Sequence, residues 1–287
     1  MGDDARDSAG ASGVLHVCAV PIGNLDDASP RLRRVLAEVD VIACEDTRTT
    51  RRLLDLLGVS PVPRLLAHHA HNERAGAAGI VPLLEVGSHV ALVSDAGTPA
   101  VNDPGVALVA AAHAAGIEVV AVPGPSAVSA AVSIAGFLAD GYHFAGFLPR
   151  GAADLVTLVR TRAQELVVAF EGPSRIVASL TAIAEAQPER EVAVCRELTK
   201  RHEQVVRGAA TDVAQRVADG ELRGEFVVVL APLVQEAADV VAGALDFALE
   251  LEAEGVRLKR ACSIAAERIG GSSRALYAAA LEVRQER

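Results

Sequence analysis

Residues 94–105 read Ser-Asp-Ala-Gly-Thr-Pro-Ala-Val-Asn-Asp-Pro-Gly, directly after the apolar run Val90-Ala91-Leu92-Val93. The pattern predicts a buried parallel strand that ends in a carboxylate and a tight Gly/Pro turn. In open α/β sheets, ligands sit at the carboxyl ends of strands. Asp95 can orient a ligand hydroxyl or amine. Gly97 lets backbone approach a ligand closely, and Pro99 and Pro104 stiffen the loop.

Other segments pair charge or glycine with a strand end. Val20-Pro21-Ile22-Gly23-Asn24-Leu25 fits either a cofactor-lining turn or a plain βα turn. It is not the dinucleotide fingerprint G-x-G-x-x-G, and the chain has no Walker lysine motif. Glu45-Asp46-Thr47-Arg48 offers adjacent carboxylates and an arginine, suited to acid–base work, to holding a substrate, or simply to a helix N-terminus. Glu171-Gly172-Pro173-Ser174-Arg175 and Arg196-Glu197-Leu198-Thr199-Lys200 place charge at two later strand ends. His68, His69 and His71 lack metal-ligand spacing and read as a polar loop wall. Arg257, Lys259, Arg260, Arg268 and Arg274 form a basic group that fits either an RNA backbone or a solvated helix face.

Positioning these groups requires a scaffold. Apolar runs at Leu15–Val20, Val39–Ala43, Arg64–His68, Val90–Ser94 and Glu118–Val122 read as strands. Helical patterns at Pro30–Glu38, Thr49–Leu57, Glu73–Glu85 and Pro104–Ala115 separate them, with Ser29-Pro30 as a start signal. This alternation predicts a parallel sheet with helices on both faces. After Val122-Pro123-Gly124-Pro125-Ser126 comes a small-residue helix, Ala127–Ala135. Strands follow at Phe144–Phe147, Leu166–Phe170, Glu191–Arg196, Glu203–Arg207 and Glu225–Ala231, and their closer spacing predicts a mixed sheet with hairpins. Beyond Pro232 an acidic helical stretch, Val234–Glu254, precedes two helical pieces split by Gly270-Gly271. The expected organisation is a polar tail over 1–13, α/β domains over 14–125 and 126–232, and a helical extension over 233–287.

Composition narrows the function class. Of 287 residues 51% are hydrophobic, so a large core is available, while aromatics make up only 3% and Trp is absent. That disfavours a base-stacking platform for single strands. The net charge of -10 disfavours unspecific polyanion binding but leaves room for a local basic patch. Cys18, Cys44, Cys195 and Cys262 form no C-x-x-C pair and read as buried thiols of a reducing cytosol, with no metal site. The segment Met1–Gly13 lacks the apolar core of a signal peptide, and no apolar stretch is long enough to span a membrane.

Taken in order, V-P-I-G-N-L (20–25), E-D-T-R (45–48), S-D-A-G-T-P (94–99), N-D-P-G (102–105), V-P-G-P-S (122–126), G-F-L-P (146–149), R-E-L-T-K (196–200) and G-E-F-V (224–227) resemble the tetrapyrrole methylase superfamily. Within it they are most similar to the branch that methylates small-subunit ribosomal RNA. The resemblance implies two α/β lobes with S-adenosylmethionine in the cleft between them, a homodimer and a cytoplasmic setting. It implies 2′-O-methylation of one cytidine in the decoding region of 16S rRNA within the small ribosomal subunit. One loop departs from the family's F-Y-E-S-P-H-R-I, reading Ala169 to Ile176 here with Ser174 in place of the histidine.

Carried onto this chain, the resemblance puts Pro21, Ser94, Asp95, Gly97, Thr98, Ser126, Ala127, Phe170 and Leu198 around the cofactor. Methyl transfer from a sulfonium needs alignment, desolvation and an acceptor for the hydroxyl proton. Asp46 or Glu45 is the expected acceptor, with Arg48 holding a phosphate or the acid itself. Arg31, Arg33, Arg34, Arg48, Arg51, Arg52 and Arg150 are expected to gather on the cleft side for RNA. Two alternatives are a tetrapyrrole C-methyltransferase of the same fold and a non-enzymatic nucleic-acid binder that uses the C-terminal helices.

Overall fold

The computed structural model describes residues 12–233 and 237–285. The chain forms two compact units, Met1–Pro232 and Leu233–Arg287. Of the tail expected over 1–13, residues 1–11 lie outside the described residues. Gly13 is buried, and its N–H donates to Leu84 O at 2.8 Å.

The first unit opens with β1 (Val14–Cys18), α1 (Pro30–Glu38), β2 (Val41–Cys44), α2 (Thr47–Leu57), β3 (Arg64–Ala67), α3 (Glu73–Glu85), β4 (Val90–Val93), α4 (Val106–Ala114) and β5 (Glu118–Val122). The strands form a wholly parallel sheet in the order β3-β2-β4-β1-β5. Strands β2 and β4 are buried at every position, as expected for strands covered on both faces. Leu32, Leu36, Leu54 and Leu57 carry α1 and α2 onto one face. Ile80, Leu84, Leu108 and Ala112 carry α3 and α4 onto the other.

Connectivity then locates a crevice. From β2 the chain passes through α2 to β3 at the sheet's edge. From the neighbouring β4 it crosses the opposite face through α4 to β5. The direction of winding therefore reverses between β2 and β4, and the loops leaving their carboxyl ends diverge. This is the position where doubly wound sheets bind ligands.

The same unit continues with α5 (Ala127–Ala135), β6 (Tyr142–Phe147), α6 (Ala152–Thr161), β7 (Leu166–Glu171), α7 (Ile176–Ala186), β8 (Glu191–Arg196), β9 (Gln204–Ala209), α8 (Ala210–Ala218) and β10 (Phe226–Leu230). The second sheet has the order β6-β7-β10-β8-β9, with β6 parallel to β7 and every other pair antiparallel. Helices α6, α7 and α8 bury Leu155, Val159, Leu180, Ile183 and Val213 against one face. Helix α5 covers the other with Val128, Ala131 and Ala135, joined there by Ile22 from the first lobe.

Several boundaries differ from the sequence expectation. Helix α2 starts at Thr47, two residues early, because the Asp46 carboxylate accepts the Arg48 N–H at 2.7 Å and caps the helix there. Helix α4 starts at Val106, not Pro104, because Glu73 Oε1 takes the N–H of Gly105 and Ala107 and marks the helix end from outside. Helices α6, α7 and α8 were not among the expected elements.

The second unit is three helices, α9 (Ala237–Ala253), α10 (Leu258–Arg268) and α11 (Ser273–Gln285). Ala244, Ala248, Leu258, Ala261, Cys262, Ala265, Leu276 and Ala280 form its own small core.

Candidate active site

Three loops at the carboxyl rim of the first sheet are tied together by backbone. Val20 N–H donates to Gly97 O at 2.8 Å, and Gly97 N–H returns to Val20 O at 3.1 Å. Thr98 Oγ1 donates to Pro125 O at 3.1 Å, which joins the loop after β4 to the loop after β5. Gly97 has φ +75°, a conformation side chains with a Cβ rarely adopt, so the turn that makes this stitch needs glycine.

Against this rim the second lobe closes a cavity of about 370 Å³. The first lobe supplies Ile22, residues 96–98 and 101–103, Ser126 and Ala127. The second supplies Phe147, residues 170–173 and residues 224–227. Phe170 meets Phe144 and Phe147 edge to face, with ring centroids 5.1 and 5.8 Å apart, which stiffens an apolar wall.

The two lobes meet tightly beside the cavity. A Cβ on Gly23 would lie 2.4 Å from Lys200 Cγ and 3.1 Å from Leu198 O. Only glycine lets the first loop approach the R-E-L-T-K turn so closely. That turn is held by Lys200, whose Nζ lies 2.9 Å from both Glu197 Oε1 and Glu225 Oε2. On the next strand end, the buried Glu171 carboxylate accepts from Arg175 at 2.6 Å, from Ser179 Oγ at 2.6 Å and from Gly172 N–H at 2.7 Å. Both charged motifs thus shape cavity-lining turns. Ser174 is exposed and does not line the cavity.

Of the residues expected around the cofactor, Gly97, Thr98, Ser126, Ala127 and Phe170 line the cavity. Pro21, Ser94, Asp95 and Leu198 do not. Ser94 is buried, and its hydroxyl donates to Ala96 O at 3.1 Å. The Asp95 carboxylate accepts the Asp46 N–H at 3.1 Å, fastening the loop after β4 to the loop after β2. Leu198 is packed among the apolar residues between α5 and the second sheet.

The acid–base candidates separate in the same way. Asp46 is engaged by Arg48, whose Nη2 lies 2.7 Å from its Oδ2, and by the helix N–H it caps. These bonds hold its carboxyl at about 2, and it does not line the cavity. A carboxylate so weakly basic is a poor proton acceptor. Arg48 is correspondingly committed to Asp46. Burial raises the Glu45 carboxyl, and the Asp95 charge adds to this.

Sequence reasoning did not single out Asp103, although the N-D-P-G segment was noted. Asp103 lines the cavity, and burial, with Glu45 and Asp95 adding repulsion, lifts its carboxyl to about 6. Its cue in sequence is only its place beside Pro104-Gly105, because burial and the charge of Glu45 from the end of β2 are set by the fold.

The remaining candidates lie apart. Arg31, Arg34, Arg51, Arg52 and Arg150 are exposed, Arg33 is half-buried, and none of them lines the cavity. His68 is buried, which lowers its imidazole, and neither ring nitrogen has a hydrogen-bond partner among the described residues. In the C-terminal unit Arg268 sits over Phe247 at 5.5 Å, and Arg257, Lys259, Arg260 and Arg274 are exposed. No helix among the described residues is long and apolar enough to cross a membrane.

Known proteins supply the context for this geometry. Residues 14–214 match the family described as Tetrapyrrole (Corrin/Porphyrin) Methylases, and residues 239–284 match the RsmI C-terminal HTH domain. A ribosomal RNA small subunit methyltransferase I of Mycobacterium tuberculosis is 40% identical over 282 residues, covering 96% of this chain and 97% of its own. The protein of the same name from Xylella fastidiosa is 42% identical over 272 residues, covering 92% and 98%. Among solved structures, a diphthine synthase superposes with a TM-score of 0.60 at 14% identity, covering 78% of this chain and 92% of its own. A Thermus thermophilus uroporphyrin-III C-methyl transferase complexed with S-adenyl homocysteine gives 0.53 at 18%, covering 76% and 97%. The chain belongs to the tetrapyrrole methylase family, methyltransferases that draw their methyl group from S-adenosylmethionine.

Proposed function

We propose that this protein methylates the ribose 2′-oxygen of a cytidine in the decoding region of 16S rRNA, acting on the small ribosomal subunit as a cytoplasmic homodimer. One observation carries the reading. The relatives at 40% and 42% identity match 96% and 92% of this chain, too much to leave out the extension, and are named for small-subunit ribosomal RNA. Uroporphyrin-III and cobalt precorrin-4 methyltransferases of known structure that resemble it cover only 76–79% of it, although nearly all of their own length is used. Methylating a small tetrapyrrole gives no reason for the further helical unit, whereas a ribosomal substrate does.

The cavity fits the donor. Its volume is within the range of small-molecule sites, roughly 300–1,000 Å³. Phe147 and Phe170 supply an apolar wall suited to an adenine. The backbone of Gly97 and Ser126 can approach the amino-acid portion closely, and the carboxylates at the rim suit a cationic ligand. S-adenosylmethionine supplies an activated methyl on a positively charged sulfur. The protein's own task is to align that methyl with an oxygen, exclude water and accept one proton. Arg31, Arg34, Arg51 and Arg52, exposed on α1 and α2, are proposed to meet RNA phosphates.

The test is methyl transfer to purified small subunits, followed by nuclease digestion and mass spectrometry of the nucleosides. The expected product is a single 2′-O-methylcytidine, formed on assembled subunits far faster than on bare RNA fragments. A methyl on a base, or transfer to a tetrapyrrole precursor with none to ribosomal RNA, overturns the reading.

A further inference from the structure

Three carboxylates line the cavity, those of Asp103, Glu171 and Glu225. Two are occupied: Glu171 by Arg175, Ser179 and its neighbour's N–H, and Glu225 by Lys200. Among the described residues Asp103 has no cationic partner. It lies where the chain's winding reverses, between the ends of β2 and β4. Glu45 faces it from the end of β2, and Asp95 and Ser94 face it from the end of β4.

The loop that carries Asp103 is built to hold one shape. Ala100 and Asn102 both adopt left-handed backbone, with φ +66° and +65°, which is costly for alanine and tolerated by asparagine. Val101 N–H donates to Thr98 O, and Ala100 N–H donates to Pro104 O. From α3, Glu73 accepts the N–H groups just beyond, at Gly105 and Ala107. A strained segment held at both ends, with a half-buried acid at its centre facing a ligand cavity, is the arrangement expected of a reacting group.

We propose that Asp103 takes the proton of the ribose 2′-hydroxyl during methyl transfer, with the carboxylates of Glu45 and Asp95 beside it. The inference rests on the ribose reading above. In the step, the Asp103 carboxylate removes the hydroxyl proton while the oxygen forms its bond to the methyl carbon. The electron pair of the broken carbon–sulfur bond stays on sulfur, leaving a neutral thioether. Asp103 ends protonated and returns the proton to water. Burial and the two neighbouring carboxylates raise its basicity to about 6, so it is largely ionised at neutral pH yet far more basic than Asp46.

The experiment combines a pH profile with a direct titration. For the wild type, kcat/KM on small subunits should fall on the acid side with a midpoint near 6. D103N should lose roughly 100-fold or more in rate, the usual contribution of a positioned base, and lose this acid limb, while donor affinity by calorimetry changes less than about threefold. E45Q should move the limb to lower pH, because a repelling charge is gone. Carboxyl-carbon NMR of the protein without substrate should show the Asp103 titration displaced in the same direction by E45Q, a readout independent of turnover.

Retention of the acid limb in D103N, or an Asp103 titration unmoved by E45Q, overturns the proposal while ribose methylation by the wild type still stands. If the wild type places its methyl on a base, the ribose reading itself fails and the proton acceptor for a hydroxyl falls with it.

Discussion

The Arg190 side chain donates from Nε to the carbonyl oxygen of Ala231 at 2.6 Å, the tightest of five hydrogen bonds that leave it with no exposed surface. The others go to Val159 O, Arg162 O, Glu165 O and Gln187 Oε1. No carboxylate is in the set. The guanidinium sits instead on the carbonyl end of α6, where the helix dipole favours a cation. It also fixes the chain just after β10 and the end of α7.

Burial lowers the Arg190 guanidinium to about 10, so it stays charged at neutral pH. Arg190→Met should cost about 3–5 kcal/mol in urea unfolding, because several buried carbonyls lose their donor together. Arg190→Lys should recover less than half of this, since a single ammonium cannot reproduce the planar fork.

Gly23→Ala is expected to push the Ile22 turn away from Lys200 and Leu198. Overpacking of this kind costs about 1–3 kcal/mol. Because Ile22 lines the cavity, donor binding by calorimetry should weaken roughly tenfold, equivalent to about 1.4 kcal/mol. An unaltered affinity would mean that the two lobes tolerate separation without loss of the pocket.

Phe170→Leu keeps an apolar side chain but removes both edge-to-face contacts. Each such pair contributes about 0.5–1.5 kcal/mol. The variant should bind donor roughly 10-fold more weakly, with its circular dichroism spectrum unchanged.

Asp103 also predicts a trade between stability and activity. Its carboxyl titrates near 6 in the folded protein against 3.8 unfolded, so the fold holds this proton more tightly. That contribution is complete below about pH 4 and is lost as pH rises to about 6. Asp103→Asn, which never ionises, should match the wild type in melting temperature near pH 4 and exceed it above pH 6. The side chain is half-exposed, and solvent screening limits the gain to about 1 kcal/mol, roughly 2–4 °C.

Much of the scaffold could be read from the residues. Val90–Val93 is a continuous apolar run because both faces of β4 are covered, and Ser29 before Pro30 does cap α1, accepting the Leu32 N–H. Helices α6, α7 and α8 were harder to see, because none has a side-chain cap to mark its start. The site divided in a similar way. Gly97 and Ser126 announce themselves by local backbone chemistry. Asp95 reads as a ligand contact in sequence, and in the structure its Oδ1 accepts the Asp46 N–H, from a residue 49 positions away. Asp46 and Arg48 quench each other within one turn, which adjacent letters alone do not reveal. Asp103 owes its basicity first to burial and then to Glu45 and Asp95, and burial cannot be read from a window of sequence.

The doubled bond between Val20 and Gly97 has a mechanical consequence. Two crests that would otherwise sway independently are fused into a single jaw, already set before any molecule arrives. Whatever adjustment accompanies capture must then come from the opposing side, around Gly172 and Pro173, and a difference map of empty against loaded protein should show its largest peaks there.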